Sequence, residues 1–191
     1  MLEIMKKILP ILLLALMSLS SCGVPMSYLT SGIRTRLESK SISMEQLQFY
    51  VDEDVELRRE LASGEATVTS GKVKIENGKS IHIIKLRRLT PGVCVGTEGG
   101  RLDISFEAGD GKHLTFGLSP SVQSGPNQVY QIYADEWIKR SNGWPGLEGK
   151  ITYDGETYFI QPSGAQAKLM IQKSVVNRLD IDKRVMKGRK L

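Results

Sequence analysis

Apolar and polar side chains begin to alternate about a quarter of the way along the chain. In residues 47–51 and 55–57 every second side chain is apolar, which is the period of a strand that buries one face. A three-residue loop at 52–54 would set Val51 opposite Val55 and align all the apolar side chains on one face. The pattern predicts a hairpin from 47 to 57.

A second alternating stretch runs from 73 to 84 around an Asn-Gly dipeptide. A two-residue turn there would place the apolar residues of the two strands on opposite faces, so we expect a longer loop. A three-residue loop that ends at Gly78, in the left-handed conformation, pairs Val73 with Ile81 and aligns the four apolar residues. The sequence predicts that second register.

A third hairpin spans 151–160, where a two-residue Asp154-Gly155 turn pairs Ile151 with Tyr158 and keeps the apolar side chains on one face. Further strands are predicted at 101–106, 114–118, 129–137 and 167–171. This series of short strands and turns is typical of an antiparallel β-sandwich or β-barrel built from hairpins. We expect residues 46–174 to form this mainly β domain.

The segments on either side of the β region lack its period. Residues 22–45 are rich in Ser, Gly and Thr and are predicted to be a flexible tether, with a short helix through Ile33 and Leu37 as the alternative. Residues 175–191 mix a few apolar side chains with many Lys and Arg, which predicts a basic C-terminal tail or a short helix followed by a basic end. Such a tail is either solvated or in contact with anionic lipid headgroups.

The first 21 residues have the organisation of a signal peptide. Lys6 and Lys7 precede an apolar segment at 8–17, whose ten residues are well short of the roughly 20 that span a bilayer. The stretch Leu19-Ser20-Ser21-Cys22 follows directly. It resembles the lipobox of bacterial lipoproteins, in which an aliphatic residue and two small residues precede a cysteine that is acylated.

The resemblance implies removal of residues 1–21 and acylation of Cys22, with palmitate among the acyl chains, so that the mature chain is held at a cell-envelope membrane. Gly23 stands where lipoproteins of the inner membrane commonly have Asp, which implies the periplasmic side of the outer membrane. Cleavage leaves 170 of the 191 residues, the length of a single domain.

Charge and cysteine content exclude some classes of protein. The formal net charge of +5 falls to +4 when Glu3, Lys6 and Lys7 leave with the signal peptide, so nothing indicates nucleic acid as a partner. Once Cys22 is acylated, Cys94 has no partner for an intramolecular disulfide. We expect Cys94 to be a buried small residue rather than a reactive thiol.

The residues that most often carry catalysis or bind metals are few. His82 and His113 belong to no metal-ligand spacing, and the acidic sets 52–54 and 107–110 lack the alternate carboxylates of a calcium loop. The chain has no G-x-S-x-G nucleophile motif. The sequence therefore predicts a protein that is not an enzyme, with no cofactor and no metal.

Aromatic residues cluster in the last third of the chain, where residues 130–159 hold seven of the twelve. Tyr130, Tyr133, Trp137 and Trp144 are the candidate contact residues, because amphipathic rings are frequent at binding surfaces. The alternative is that these rings fill the core.

These observations favour a membrane-anchored envelope lipoprotein that acts as a non-enzymatic binding or structural module for a protein or an envelope polymer. The alternative is a carrier of an apolar ligand, such as a lipid, held in a cavity of the β domain. A filled core would favour the binding module, whereas a continuous apolar cavity would favour the carrier.

Overall fold

Two antiparallel sheets make up most of the structure, a computed structural model that describes residues 23–62, 71–76, 78–119, 124–139 and 146–180. These residues form thirteen strands, numbered β1 to β13 in chain order, and two α-helices. The sheets lie in a sandwich-like arrangement. The mainly β class is confirmed, and of the two predicted architectures the sandwich is the one observed.

Seven strands form the larger sheet. In spatial order they are β1 (Met26–Tyr28), β13 (Leu169–Gln172), β2 (Gln48–Val51), β6 (Gly92–Glu98), β7 (Arg101–Ser105), β8 (Leu114–Leu118) and β9 (Tyr130–Ile132). The sheet curls, because β9 bonds back to the opposite side: the backbone amide of Tyr130 donates to the carbonyl of Leu29 at 3.0 Å, and that of Ile132 to Ala167 at 2.8 Å. Few backbone groups at this junction are therefore left unpaired.

Six strands form the smaller sheet. In spatial order they are β10 (Glu136–Lys139), β11 (Leu147–Tyr153), β12 (Glu156–Ile160), β3 (Val55–Glu60), β5 (Lys79–Leu86) and β4 (Lys72–Glu76). The edge strand β4 carries Lys72 and Lys74 at alternate positions. Exposed lysines on an edge strand oppose pairing with another chain.

The core lies between the inner faces of the two sheets. Phe49 and Phe116 of the larger sheet are fully buried. In the smaller sheet, Ile160 is fully buried and Leu57 is 2% exposed. All members of the core cluster lie between Leu29 and Leu179. A chain of residues 23–191 therefore retains every core residue that the structure describes.

The predicted hairpin at 47–57 is wrong. Strands β2 and β3 belong to different sheets: Phe49 pairs with Ile171 in the larger sheet, and Leu57 pairs with Ile84 in the smaller one. The chain crosses between the sheets at residues 52–54. Both strands nevertheless turn their apolar side chains to the same core, so the alternation is satisfied without a hairpin.

Acidic side chains fix this crossing. The Oδ1 atom of Asp52 accepts the backbone N–H of Lys168 at 2.6 Å, and Oδ1 of Asp54 accepts that of Arg88 at 2.7 Å. Each carboxylate thereby ties the loop to a different segment of the chain. The acidic set is structural, as carboxylates that accept backbone N–H groups in loops commonly are.

The three-residue loop predicted in the second hairpin is also wrong. Val73 pairs with His82 and Ile75 with Ser80, the register of the rejected two-residue turn. Val73 and Ile75 remain 48% and 76% exposed, so they contribute little to the core and do not set the register. The left-handed conformation of Gly78 is confirmed by its φ of 77°.

The third hairpin is confirmed in its register. Ile151 pairs with Tyr158 and Thr152 with Thr157 across the turn at Asp154-Gly155. Strands are also observed near the further predicted positions. The exception is 129–137, which is divided into β9 and β10 where the chain passes from one sheet to the other.

The tether predicted for residues 22–45 is wrong from Met26 onward, because this segment is part of the fold. Strand β1 pairs with β13, and helix α1 (Ser31–Ser39) follows it. The Thr30 hydroxyl caps this helix by accepting the Ile33 backbone N–H at 3.2 Å. Ile33 and Leu37 are buried at 8% and 0% exposure, so the helix alternative is confirmed.

A second helix, α2 (Lys173–Asp180), begins directly after β13. Leu179 packs into the core at 6% exposure, and Nζ of Lys40 donates to its carbonyl at 3.1 Å. The helical alternative for the start of the C-terminal tail agrees with this helix. The basic end, 181–191, lies outside the described residues. Neither described helix has the length and apolar character needed to cross a bilayer.

Candidate functional site

A groove of about 730 Å³ runs along the junction between the two sheets, at the point where β9 of one sheet leads into β10 of the other. Leu118, Ile132, Leu147 and Pro162 contribute apolar surface to it. Its volume lies within the roughly 300–1,000 Å³ of ligand pockets in proteins. Two of the four candidate aromatic residues, Tyr133 and Trp137, line this groove.

Trp137 owes its position in the groove to a glycine on the neighbouring strand. It pairs with Gly149 across β10 and β11, where a Cβ atom on Gly149 would stand only 2.9 Å from Cζ3 of the indole. The missing side chain lets the ring pack closely against Gly149 of β11, as aromatic rings that cover a glycine in a sheet do. The ring is half-buried, with part of its surface in the groove.

Tyr133 is held by a cation. The guanidinium carbon of Arg101 lies 3.7 Å from the centre of the tyrosine ring, and an Nη atom of Arg101 donates to the tyrosine hydroxyl at 2.8 Å. Stacking and the hydrogen bond together fix the ring. The sequence did not indicate this pairing, since the two residues lie 32 positions apart and nothing in either local pattern links them.

Tyr130 is not a groove residue. It is 3% exposed, its hydroxyl donates to the Gly100 carbonyl at 3.2 Å, and the hydroxyl accepts from Arg34 at 2.9 Å. For this ring the core-filling alternative is the one observed. Trp144, the fourth candidate, and Cys22 lie outside the described residues.

Polar groups of the groove are amides and carboxylates. Gln131 and Gln166 line it together with Asp135 and Glu136, and none of the lining residues is Lys or Arg. Asp135 and Glu136 are both exposed. Arg101 lies beside this lining, but its guanidinium is already stacked on Tyr133 and bonded to the tyrosine hydroxyl. Such a surface suits a neutral or cationic ligand, because an anion would face the two exposed carboxylates.

Neither histidine is among the residues that line the groove. His82 is 3% exposed, and its Nδ1 atom is 2.7 Å from the Tyr158 hydroxyl. Burial raises the pKa of Tyr158, although the hydrogen bond from Arg59 acts in the opposite direction. His113 lines a smaller cleft of about 220 Å³ with Tyr133. The described part of the chain contains no group of three His, Cys, Asp or Glu side chains that could hold a metal ion.

Cys94 is a buried thiol at 5% exposure whose Sγ donates to the Gly96 carbonyl at 3.3 Å. Burial raises its pKa, which keeps it protonated at neutral pH. A protonated thiol is a poor nucleophile. The position agrees with the sequence-based expectation of a small core residue.

No family model, no curated protein and no solved structure matches this chain. The groove, the remaining surface and the N-terminal sequence are therefore the features that bear on function.

Proposed function

We propose that the chain is a lipid-anchored lipoprotein of the bacterial cell envelope. Its signal peptide is removed before Cys22, and acyl chains on this cysteine hold it at the periplasmic side of the outer membrane. Because β1 begins at Met26, only a few residues separate the anchor from the domain, a span of at most about 15 Å in an extended chain. The domain therefore sits close to the membrane surface rather than on a long tether.

Acylation is tested by growing the bacterial host with labelled palmitate. The wild-type chain and a Cys94→Ser variant should both incorporate label, whereas Cys22→Ser should incorporate none. The Cys94 variant is the matched control because it removes the other cysteine of the chain. Label retained by Cys22→Ser would overturn the anchor.

We propose further that the domain is a non-enzymatic binding module that recognises a protein segment or an envelope polymer through the groove between β9 and β10. The observation that supports this most directly is the pair Tyr133 and Trp137 on a mostly apolar groove, where Arg101 stacks on Tyr133 and the Trp137 ring packs against Gly149. Rigid aromatic rings bury a large area with little loss of conformational entropy, which makes them frequent anchors of binding surfaces.

The charge of the groove limits the kinds of ligand that it can bind. Asp135 and Glu136 lie at its surface, none of its lining residues is Lys or Arg, and the neighbouring Arg101 is stacked on Tyr133. We expect the bound segment to be uncharged or positively charged, such as a neutral glycan strand or a basic peptide. Nucleic acid and other polyanions are disfavoured at this site.

A photoreactive amino acid at Leu147 tests the groove in living cells. Leu147 lines the groove at 47% exposure, and the matched control position is Ile75, which is 76% exposed and remote from the groove lining. We expect an adduct from position 147 and none from 75. A discrete band indicates a protein, whereas a smear that shrinks with glycan hydrolase indicates a polymer.

The same adduct should depend on the indole. Trp137→Ala should abolish it, and Phe159→Ala, a ring deletion outside the groove lining on nearby β12, should leave it unchanged. An adduct that survives Trp137→Ala would contradict recognition through this groove, even where the acylation test succeeds.

A further inference from the structure

A second cavity, of about 300 Å³, opens between the two sheets and shares no lining residue with the groove. Its walls come from both layers. Leu114 of β8 belongs to the larger sheet, and Phe106 directly follows β7 of that sheet. Leu57 and Ile84 belong to the smaller sheet. The cavity is thus a cleft that reaches from exposed residues at the surface to buried core residues of both layers.

The walls of this cavity are apolar but incompletely buried. Leu57 and Leu114 are buried at 2% and 3% exposure, whereas Ile84, Leu86 and Phe106 pack against the core and are only half-buried. The two inner faces therefore leave apolar surface uncovered at this point. An apolar chain inserted here would remove that surface from water and be held by the hydrophobic effect.

Two of the three charged side chains at the mouth already have partners. Nζ of Lys85 lies 2.7 Å from Oε2 of Glu56. Oε1 of Glu107 accepts the Tyr153 hydroxyl at 2.6 Å and lies 3.6 Å from Nζ of Lys112. Burial, and then the bond to Glu107, raise the pKa of Tyr153, which stays a neutral donor. Lys85 and Glu107 therefore already have partners in the absence of a ligand.

Arg87 is the remaining charge at the mouth. Its side chain makes no hydrogen bond or ion pair with any residue that the structure describes, and it is exposed beside the apolar opening. A guanidinium can bind a carboxylate through two parallel N–H groups. The cavity thus combines an unfilled apolar interior with one unpartnered cation at its mouth.

We propose that this cavity binds a medium-chain fatty carboxylate, with the alkyl chain between the two sheets and the carboxylate on Arg87. The size fits a short chain, since about 300 Å³ is at the lower end of known ligand pockets. The site depends neither on acylation of Cys22 nor on the groove at Trp137. The domain proposed above to bind a protein or polymer through its groove thereby also binds a small apolar ligand.

Titration calorimetry of residues 23–191 with decanoate tests the carboxylate. We expect saturable binding to one site, weakened about threefold to tenfold by Arg87→Gln. Arg88→Gln is the matched control, because Arg88 is an exposed neighbour outside the cavity lining, and it should leave the affinity unchanged. Decanol should bind Arg87→Gln and wild type equally.

Chain length and contacts test the cavity. Each added methylene from hexanoate to decanoate should raise the affinity about fourfold, as burial of one methylene does. NMR should show nuclear Overhauser contacts from the alkyl chain to the methyl groups of Leu86 and Ile84 in the wild-type protein. This measurement uses the wild-type protein, so it does not depend on whether a variant folds.

Three outcomes would overturn the proposal: no saturable binding of decanoate, equal weakening by Arg87→Gln and Arg88→Gln, or alkyl contacts at Trp137 in place of Leu86. The last of these would assign the apolar ligand to the groove. The groove proposal is tested separately by the adduct at Leu147, so failure of one does not decide the other.

Discussion

The indole of Trp137 lies over Gly149, the residue that it faces across β10 and β11. A Cβ atom on Gly149 would stand 2.8 Å from Cβ of Ala134 and 2.9 Å from Cζ3 of the indole. Both distances are too short for a methyl group. Because residue 149 has no side chain, the Trp137 indole can lie this close to the β11 backbone.

Gly149→Ala should lower the free energy of unfolding by about 1–3 kcal/mol, since overpacking forces the ring or the strand to move. Denaturant unfolding measures the loss. Gly117→Ala is the matched control on a nearby strand, where an added Cβ would find its nearest neighbour at an ordinary 3.5 Å. Equal stability of the two variants would contradict the close contact.

Leu37→Ala should cost about 2–5 kcal/mol of unfolding free energy, because Leu37 is fully buried and its truncation leaves a cavity. Thr35→Ala, at an exposed position of the same helix, should change the stability by less than about 0.5 kcal/mol. Both are measured by denaturant unfolding. A Leu37→Ala variant as stable as wild type would restore the interpretation of this segment as a tether.

Local signals in the sequence were sufficient for some elements. The hairpin at 151–160 was predicted in register because its Asp-Gly turn and its apolar pattern agree within ten residues. The crossing at 52–54 was not predictable, because two strands facing one core show the same alternation whether they pair or lie in opposite sheets. What decides between them is the distant partner, here Ile171 for Phe49.

The candidate site likewise contains some residues that the sequence predicts and others that it does not. Trp137 was predicted as a contact residue from aromatic clustering, and it lines the groove, whereas Tyr130 from the same cluster is buried. Composition identifies where rings are frequent along the chain but not which face of a strand each one occupies. Arg87 was missed altogether, because an unpartnered cation is defined by the distances to its neighbours in space.

Glu53→Gln should raise the stability at neutral pH. Burial, and then the charge of Asp52, raise the pKa of the Glu53 carboxyl above its ordinary 4.5, and Oε1 has no hydrogen-bond partner among the described residues. As the pH rises through 4.5 the unfolded chain ionises first, so the wild type loses stability that the amide keeps. The gain should be below about 1 kcal/mol, since the side chain is partly solvated.

Thermal unfolding at pH 7 and at pH 3.5 checks this. The advantage of Glu53→Gln should be present at pH 7 and absent at pH 3.5, where the carboxyl is protonated in both states. Glu98→Gln, the same substitution at an exposed position, is the control and should have little effect at either pH. A destabilised Glu53→Gln at pH 7 would show that the carboxylate makes a favourable contact.

Glu56→Gln should have the opposite effect. Burial alone would raise the pKa of Glu56, but the hydrogen bonds from Lys85 and Arg58 outweigh it and lower the pKa below its ordinary 4.5. The stabilisation from these bonds is present above the unfolded pKa and is lost as the pH falls through the folded pKa. We expect Glu56→Gln to lower the free energy of unfolding by about 1 kcal/mol at pH 7. This value allows for screening of the ion pairs by solvent.

Denaturant unfolding at pH 7 and pH 3 measures the loss, which should shrink at pH 3 and in high salt. Glu60→Gln is the matched control, because its ion pair with Lys79 spans 2.9 Å between side chains that are 53% and 60% exposed, against 17% for Glu56. It should cost less than about 0.5 kcal/mol. Equal losses in the two variants would mean that burial of the Glu56 carboxylate does not strengthen its ion pairs.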